Sequence, residues 1–436
     1  MLHRRLTLTT ILLVLLALVY RPPCGAAEEY SFELEEFSKK SLQWGGYLEL
    51  KAEHLEINQS GAFARLAWYG EPPAELDRLG ATLQLDGSYR KEMVSFNWLA
   101  QAYGRQDQEQ WADDADIFAA YASLKPSPLV SLDLGKKVFR WGKGYAWSPV
   151  AFIDRPKDPN NPEEALEGYI GAGLDLIKSF SGPLQTVALT TVALPVGRDV
   201  NEDFGEPHNV NLAAKLYLLY RDVDIDFLLY SGNSRTSRYG LDFSTNLAPH
   251  FEVHAELAHI PRQTRRLLRT DGLVAVQEFA DTSYLLGLRY LTENEITAII
   301  EYYHNDGGYS AAEQERFYEL VAAAHHLFET TADNSLYLRA DRLGQGAYSR
   351  PQLGRNYLYA RLTWKEPFEL LYLTPGCTAI VNLDDHSFSL SPEAVYSGFT
   401  NWDMRLRFTL LAGSDFSEYG EKQNKSKLEL RLRYFF

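Results

Sequence analysis

The last ten residues of the chain place the tightest limit on its fold. Apolar and aromatic residues occupy every second position from residue 428 onward: Leu428, Leu430, Leu432, Tyr434 and Phe436. Successive side chains of a β-strand point to opposite faces, so this period of two predicts a strand with one apolar and one charged face. The same alternation recurs along the chain, for example at 223–229 and 251–257. The sequence therefore predicts an all-β protein built from two-faced strands.

The N-terminal segment has the features of a secretory signal peptide. Arg4 and Arg5 precede an apolar run from Leu6 to Tyr20, which is too short to span a bilayer comfortably, and small residues follow at 25–27. The residues before Cys24 do not form a lipoprotein signal, so we assign Cys24 to the removed peptide. We therefore predict a signal peptide over residues 1–27.

Composition excludes several classes of protein. Without the predicted signal peptide, Cys377 is the only cysteine, so the exported chain has no internal disulfide. No later apolar segment has the length of a transmembrane helix. The formal net charge of −15 argues against nucleic acid as a partner, because phosphate binding needs a basic surface. No CxxCH haem motif occurs, and we predict no cofactor.

The closing strand, which ends on an aromatic residue with a free carboxylate, resembles the closing strand of Gram-negative outer-membrane β-barrels. The alternative is the edge strand of a soluble sheet. The resemblance implies that the barrel-assembly machinery reads Tyr434 and Phe436 as an assembly signal, and that outer-membrane lipid surrounds the apolar faces. The polar faces would then line an enclosed lumen. We predict a periplasmic lead-in over 28–42 and a transmembrane antiparallel barrel over 43–436.

The connections between the strands provide an independent test. Barrels of this class alternate short periplasmic turns with longer extracellular loops. The predicted longer connections are 58–77, 105–115, 141–168, 195–207, 232–237, 261–280, 305–353 and 413–424, with a brief one at Asp384 and Asp385. With a short turn between each pair, this rhythm predicts about eighteen strands, with sixteen as the alternative.

The loop at 305–353 contains a helix signal. Ser310 and Glu313 have the spacing of a capping box, and apolar residues follow at helical intervals from Phe317. The alternative, which we favour, is that the loop merely folds over the barrel mouth as a lid. His325 and His326 are adjacent on this helix and point apart, so we predict no metal site.

The loop after Arg140 carries the strongest functional signal. Glycines, aromatics and prolines make it a rigid, self-packed segment. It resembles a Trp-Gly-containing stretch of alginate-export and related porin-like proteins, in which a loop folds inward and narrows the channel. The resemblance covers 132–158 and implies a constriction role. The residues that we assign to it are Arg140, Trp141, Lys143, Tyr145, Trp147, Asp154, Arg155, Lys157 and Asp158. The alternative is that the aromatics only pack against the inner wall.

The polar faces of the strands give candidate lumen residues. The acidic ones are Asp224, Asp226, Glu252, Glu256 and Glu301, and the basic ones are Arg289, Arg361, Arg405, Arg407, Arg431 and Arg433. The two signs are segregated along the wall. They would either create a transverse field that orients polar solutes or neutralise each other as interior ion pairs.

These patterns favour a channel for small polar or anionic solutes, monomeric or trimeric. One alternative is a barrel that sheathes a cytochrome in an electron conduit, which requires a wide lumen. The other is an outer-membrane hydrolase. The sequence offers no GxSxG or HExxH motif for catalysis, so we predict that the protein is not an enzyme.

Overall fold

The computed structural model describes residues 41–69, 71–107 and 110–436. The predicted signal peptide and residues 28–40 of the predicted lead-in lie outside these ranges. Leu42 begins the first strand, one residue before the predicted start of the barrel.

Eighteen strands are present in the described residues. They are β1 (Leu42–Ile57), β2 (Glu75–Lys91), β3 (Val94–Asp107), β4 (Trp111–Ser127), β5 (Val130–Lys137), β6 (Tyr169–Ser179), β7 (Leu184–Val196), β8 (Asn209–Tyr220), β9 (Val223–Ser231), β10 (Arg238–Ala248), β11 (Phe251–Leu268), β12 (Val274–Leu291), β13 (Ile296–His304), β14 (Asn356–Trp364), β15 (Leu373–Asn382), β16 (Phe388–Phe399), β17 (Trp402–Ala412) and β18 (Asn424–Phe435). Each strand pairs with the next one along the chain in an antiparallel manner, and β18 pairs with β1. The sheet therefore closes into a barrel with no free edge.

Alternation fixes the register at the closure. Leu50 of β1 lies opposite Leu432 of β18, and Glu49 lies opposite Arg433. A slip of one residue would exchange the apolar and charged faces, so only this parity is compatible with a lipid exterior and a wet interior. On β18, Leu428 is 45 % exposed and Glu429 is 1 % exposed. The apolar face of the closing strand therefore points out of the barrel, as predicted.

The connections follow the predicted rhythm, with two corrections. The predicted loops 105–115 and 261–280 are wrong in length, because β3 and β4 continue to within three residues of each other and β11 and β12 form a long hairpin closed by 269–273. Pro261 and the arginines that follow it have a composition typical of loops, although they belong to β11. A bulge between Ile260 and Gln263 accommodates the proline, which has no N–H to donate to the ladder.

Three α-helices lie in the loops of the described residues: α1 (Ala62–Ala67), α2 (Ala311–Thr331) and α3 (Ser335–Gln345). A short 3-10 helix (Pro367–Glu369) lies in one of the turns. The predicted capping box is confirmed, because the Ser310 hydroxyl accepts the Glu313 N–H and the Glu313 carboxylate accepts the Ser310 N–H. The sequence pattern did not reveal α1 and α3. None of the helices in the described part of the chain is long and apolar enough to cross a membrane.

The three α-helices form one apolar cluster with the C-terminal end of β11. Phe317 stacks on Tyr348 with their ring centroids 4.2 Å apart, and Leu268 of β11 is buried against them. Arg265 of β11 donates to the Gly308 carbonyl and to Glu313, 3.0 Å away. The loop over residues 305–355 is therefore fixed to the barrel by packing and by charge.

Candidate functional site in the barrel lumen

The loop over residues 138–168 leaves β5 and first closes on itself. The Asp154 carboxylate accepts the N–H groups of Phe139 (2.8 Å) and Trp141 (2.9 Å). Burial raises the pKa of Asp154 above its ordinary value despite these bonds. Gly142 has a φ of +98°, and a side chain there would collide with Ser148. The glycine therefore permits the turn that sends the chain inward.

Two carboxylates on the barrel wall hold the next segment inside the lumen. Glu256 of β11 accepts the N–H groups of Lys143 (2.5 Å) and Gly144 (2.6 Å) and the Ser148 hydroxyl (3.0 Å). Glu301 of β13 accepts the N–H groups of Tyr145 (2.5 Å) and Ala146 (2.9 Å). Both carboxylates are buried and accept hydrogen bonds from the loop backbone, and Glu301 also lies 3.0 Å from the His254 Nε2.

The Lys143 side chain extends to two further carboxylates of the barrel wall. We call Glu256, Glu301, Asp226 and Asp242 the acidic wall. Its ammonium lies 3.0 Å from Asp226 of β9 and 3.8 Å from Asp242 of β10. Asp224, one step toward the periplasm, accepts the Tyr217 hydroxyl. Sequence reasoning missed Asp242, although it alternates with the outward-facing Leu241 and Phe243 and had the same signal as its neighbours.

Aromatic residues pack the loop against the wall. Trp147 stacks on Tyr303 with ring centroids 5.2 Å apart and also contacts Tyr357 at 5.8 Å. Tyr145 contacts Tyr359 at 6.0 Å. Trp141 is 2 % exposed. These aromatics act as wall packing, which is the alternative raised by the sequence, and they make the loop a rigid part of the interior.

A basic wall follows on strands β14 to β18. Glu393 of β16 contacts three guanidinium groups, those of Arg361 (3.0 Å), Arg405 (2.8 Å) and Arg407 (2.6 Å). One carboxylate cannot neutralise three arginines, so this cluster keeps an excess of positive charge.

Two further arginines on β18 continue the basic wall. Arg431 contacts Glu429 of its own strand (2.6 Å) and Glu164 of the loop (2.9 Å). Arg433 contacts Glu49 of β1 (2.6 Å). These two arginines and the three around Glu393 line one cavity. We call Arg361, Arg405, Arg407, Arg431 and Arg433 the arginine wall.

The remaining loop residues fix the far half of the loop. Lys157 donates to the carbonyls of Gly144 (2.5 Å) and Tyr145 (3.4 Å), and burial lowers its pKa. Arg155 contacts Glu167 (3.0 Å) and Asp203. Asp158 accepts the Asn160 N–H at 2.9 Å.

The other predicted residues lie away from the loop. Glu252 and Arg289 are register partners toward the periplasmic end, and neither contacts the loop in the described residues. At the closure, Tyr434 contacts Trp402 at 5.0 Å, and Phe436 contacts Trp44 at 6.3 Å. These two aromatics belong to the band of rings near the periplasmic rim.

Three cavities adjoin the loop, and the smallest, about 330 Å³, is lined by Glu164, Arg431 and Arg433 among others. The other two have larger volumes. The larger, about 650 Å³, lies between the loop and the segment 350–352, and Arg140, Arg155, Lys157, Arg238 and Arg350 line it. The smaller, about 450 Å³, is lined by the arginine wall. Arg140, Pro162, Glu163 and Glu164 line both of these larger cavities. No cluster of three or more metal-ligating side chains occurs in the described residues.

Comparison with known proteins identifies the architecture. No family model and no curated protein matches the sequence. Among solved structures, OccK5 (OpdH) of Pseudomonas aeruginosa is 12 % identical over 90 % of this chain and 98 % of its own, with a TM-score of 0.50. OccK2 (OpdF) of the same species, solved in complex with glucuronate, is 13 % identical over 90 % and 98 %, also with a TM-score of 0.50. The chain has the fold of an outer-membrane porin.

The porin fold confirms the predicted transmembrane antiparallel barrel, and it agrees with the predicted location in the outer membrane. The count of eighteen strands is confirmed and the alternative of sixteen is wrong. A soluble sheet edge is also wrong, because β18 pairs on both sides. Sequence identity as low as this establishes the fold alone.

Proposed function

We propose that this porin fold forms a channel for small anionic solutes, with the loop 138–168 as its constriction. The observation that carries the proposal is a difference in how the loop contacts the acidic wall and the arginine wall. On the acidic wall, Glu256 and Glu301 accept hydrogen bonds from the loop backbone, and Asp226 and Asp242 lie near the Lys143 ammonium. The loop therefore covers much of the acidic wall with its backbone, whereas only its tip contacts the arginine wall, and all five arginines still line a cavity.

The charge balance of the cavities supports an anion preference. Six arginines and three carboxylates line the smaller cavity. In the larger cavity, neither Arg140 nor Arg238 forms an ion pair within the described residues, and the Arg238 Nε is buried without a hydrogen-bond acceptor. Fixed positive charge in a narrow aqueous space raises the local concentration of anions. A solute carboxylate is the natural acceptor for such guanidinium groups.

Conductance of the purified full chain in planar bilayers tests this proposal. Under a gradient of potassium chloride we expect a reversal potential of the sign that marks chloride as the more permeant ion. In liposome swelling, glucuronate should enter faster than glucose, which has a similar size and no charge. Glucuronate is a suitable first probe because OccK2 was solved with it. A folded barrel that does not conduct, or one that prefers potassium, would refute the proposal.

The other functional predictions are less well supported. A cytochrome conduit requires a wide lumen, whereas here the loop from Val138 to Gly168 joins the acidic and basic walls. We propose that the protein is a channel and not a hydrolase. The relation to alginate-export proteins, the trimeric state and the recognition of Tyr434 and Phe436 by the assembly machinery stay predictions.

A further inference from the structure

The loop tip, residues 160–164, lies across the arginine wall and offers it oxygen atoms. Arg407 donates to the Asn160 carbonyl (3.0 Å) and to the Asn161 side-chain oxygen (2.7 Å). Arg405 donates to the same Asn161 oxygen at 3.1 Å. Arg431 donates to a Glu164 carboxylate oxygen at 2.9 Å. The tip thus occupies the same kind of donor that an anionic solute would use.

Glu164 differs from Asn160 and Asn161 because it brings a charge to the arginine wall from a side chain that solvent reaches. Its side chain is 50 % exposed, whereas that of Arg431 is 8 % exposed, so solvent screens the pair from the Glu164 side. Arg431 keeps a second partner, the buried Glu429 at 2.6 Å, when Glu164 leaves. Glu164 also lines both of the larger cavities, so a solute in either one can reach it. A solute carboxylate arriving there meets an arginine whose loop partner is replaceable.

We propose that Glu164 is a built-in surrogate for the solute carboxylate: it occupies Arg431 in the empty channel and is displaced by the passing anion. This inference rests on the proposed anion channel and names the residue that limits its selectivity. Displacement exchanges one charged contact for another of the same kind, so Arg431 is never left without an acceptor. The negative charge of Glu164 also opposes anion entry until the carboxylate moves aside.

The test is the Glu164→Gln variant of the full chain in planar bilayers. At about 0.1 M salt, where charges act over roughly 10 Å, the chloride-to-potassium permeability ratio should rise at least about twofold over the wild type. The corresponding ratio for acetate should rise as well, because the carboxylate no longer competes with Glu164. At about 1 M salt, where the range falls to roughly 3 Å, the difference between the two proteins should shrink.

Glu163→Gln is the matched control. It removes the same charge from the adjacent residue, but the Glu163 carboxylate accepts the Tyr145 hydroxyl (2.7 Å) and has no arginine ion pair in the described residues. If Glu164→Gln changes the ratio no more than Glu163→Gln does, the surrogate role is refuted. If the Gln variant does not fold, Glu164→Asp keeps the charge and withdraws the carboxylate, and an unchanged ratio in that variant refutes the proposal equally.

The two proposals fail in different ways. A wild-type channel that prefers anions, together with a Glu164→Gln channel of identical selectivity, overturns the surrogate role and leaves the anion channel standing. A wild-type channel that prefers potassium overturns the anion channel and the surrogate role with it. Folding of every variant is checked by the shift in gel mobility on heating.

Discussion

The most direct perturbation of this channel is to release its constriction loop from the wall. Glu256→Gln and Glu301→Gln keep the shape of each side chain and remove its charge. In the native barrel these carboxylates accept the N–H groups of four consecutive residues, 143–146. A glutamine has one acceptor oxygen in place of two, and its NH₂ group would face the backbone donors. At least one donor at each site therefore loses its partner.

The magnitude follows from the cost of a buried donor without an acceptor. Hydrogen bonds to charged groups contribute about 1.5–3 kcal/mol each, and an orphaned buried group costs about 1–3 kcal/mol. Each substitution should therefore weaken loop docking by about 2–5 kcal/mol. The two sites hold adjacent residues, so their effects will not add simply. A loss of about 4 kcal/mol in the double variant lowers the ratio of docked to released loop by about a thousandfold.

Single-channel conductance and liposome swelling with neutral sugars of increasing size report the result. We expect the double variant to conduct more than the wild type and to admit larger sugars, because the loop no longer fills the lumen. Glu252→Gln is the matched control, since Glu252 lies on the same wall and contacts His254 (3.5 Å) and not the loop. A folded double variant with wild-type conductance and size limit would show that the carboxylates do not hold the constriction.

Three further changes test other parts of the molecule. The buried Glu418 carboxylate accepts hydrogen bonds from Leu353, Gly354, Tyr357 and Asn382. Burial raises its pKa above 4.5. Between pH 4.5 and this raised pKa the folded state binds more protons than the unfolded state, so stability falls as pH rises. Glu418→Gln should flatten this slope, as measured by proteolysis of the loop 305–355 from pH 4.5 to 7. Ser310→Ala removes the helix cap and should destabilise α2 by about 1 kcal/mol, seen as faster hydrogen exchange at 311–316, whereas Glu313→Gln should retain most of the cap. Phe436→Ala should reduce the amount of heat-modifiable barrel in the outer membrane, and Phe416→Ala, an exposed loop residue, should not.

The sequence by itself determined the barrel. Each strand is visible as a local period of two, and that period also decides which face is wet, so the alternation alone is enough to place Glu256, Glu301 and the five arginines inside. The capping box is also visible in the sequence, because its two partners, Ser310 and Glu313, are only three residues apart.

Only the tertiary structure decided where the constriction loop lies. Gly144 bonds Glu256, which is 112 residues away, and Asn161 bonds Arg407, which is 246 residues away. No periodic pattern links such pairs, because the loop residue and its partner on the wall are far apart in the sequence. Docking depends on the fit between loop and walls once the barrel has closed. That fit covers the acidic wall, while the arginine wall, which the loop tip contacts, still lines a cavity. The charge that a solute meets is therefore a property of the folded lumen.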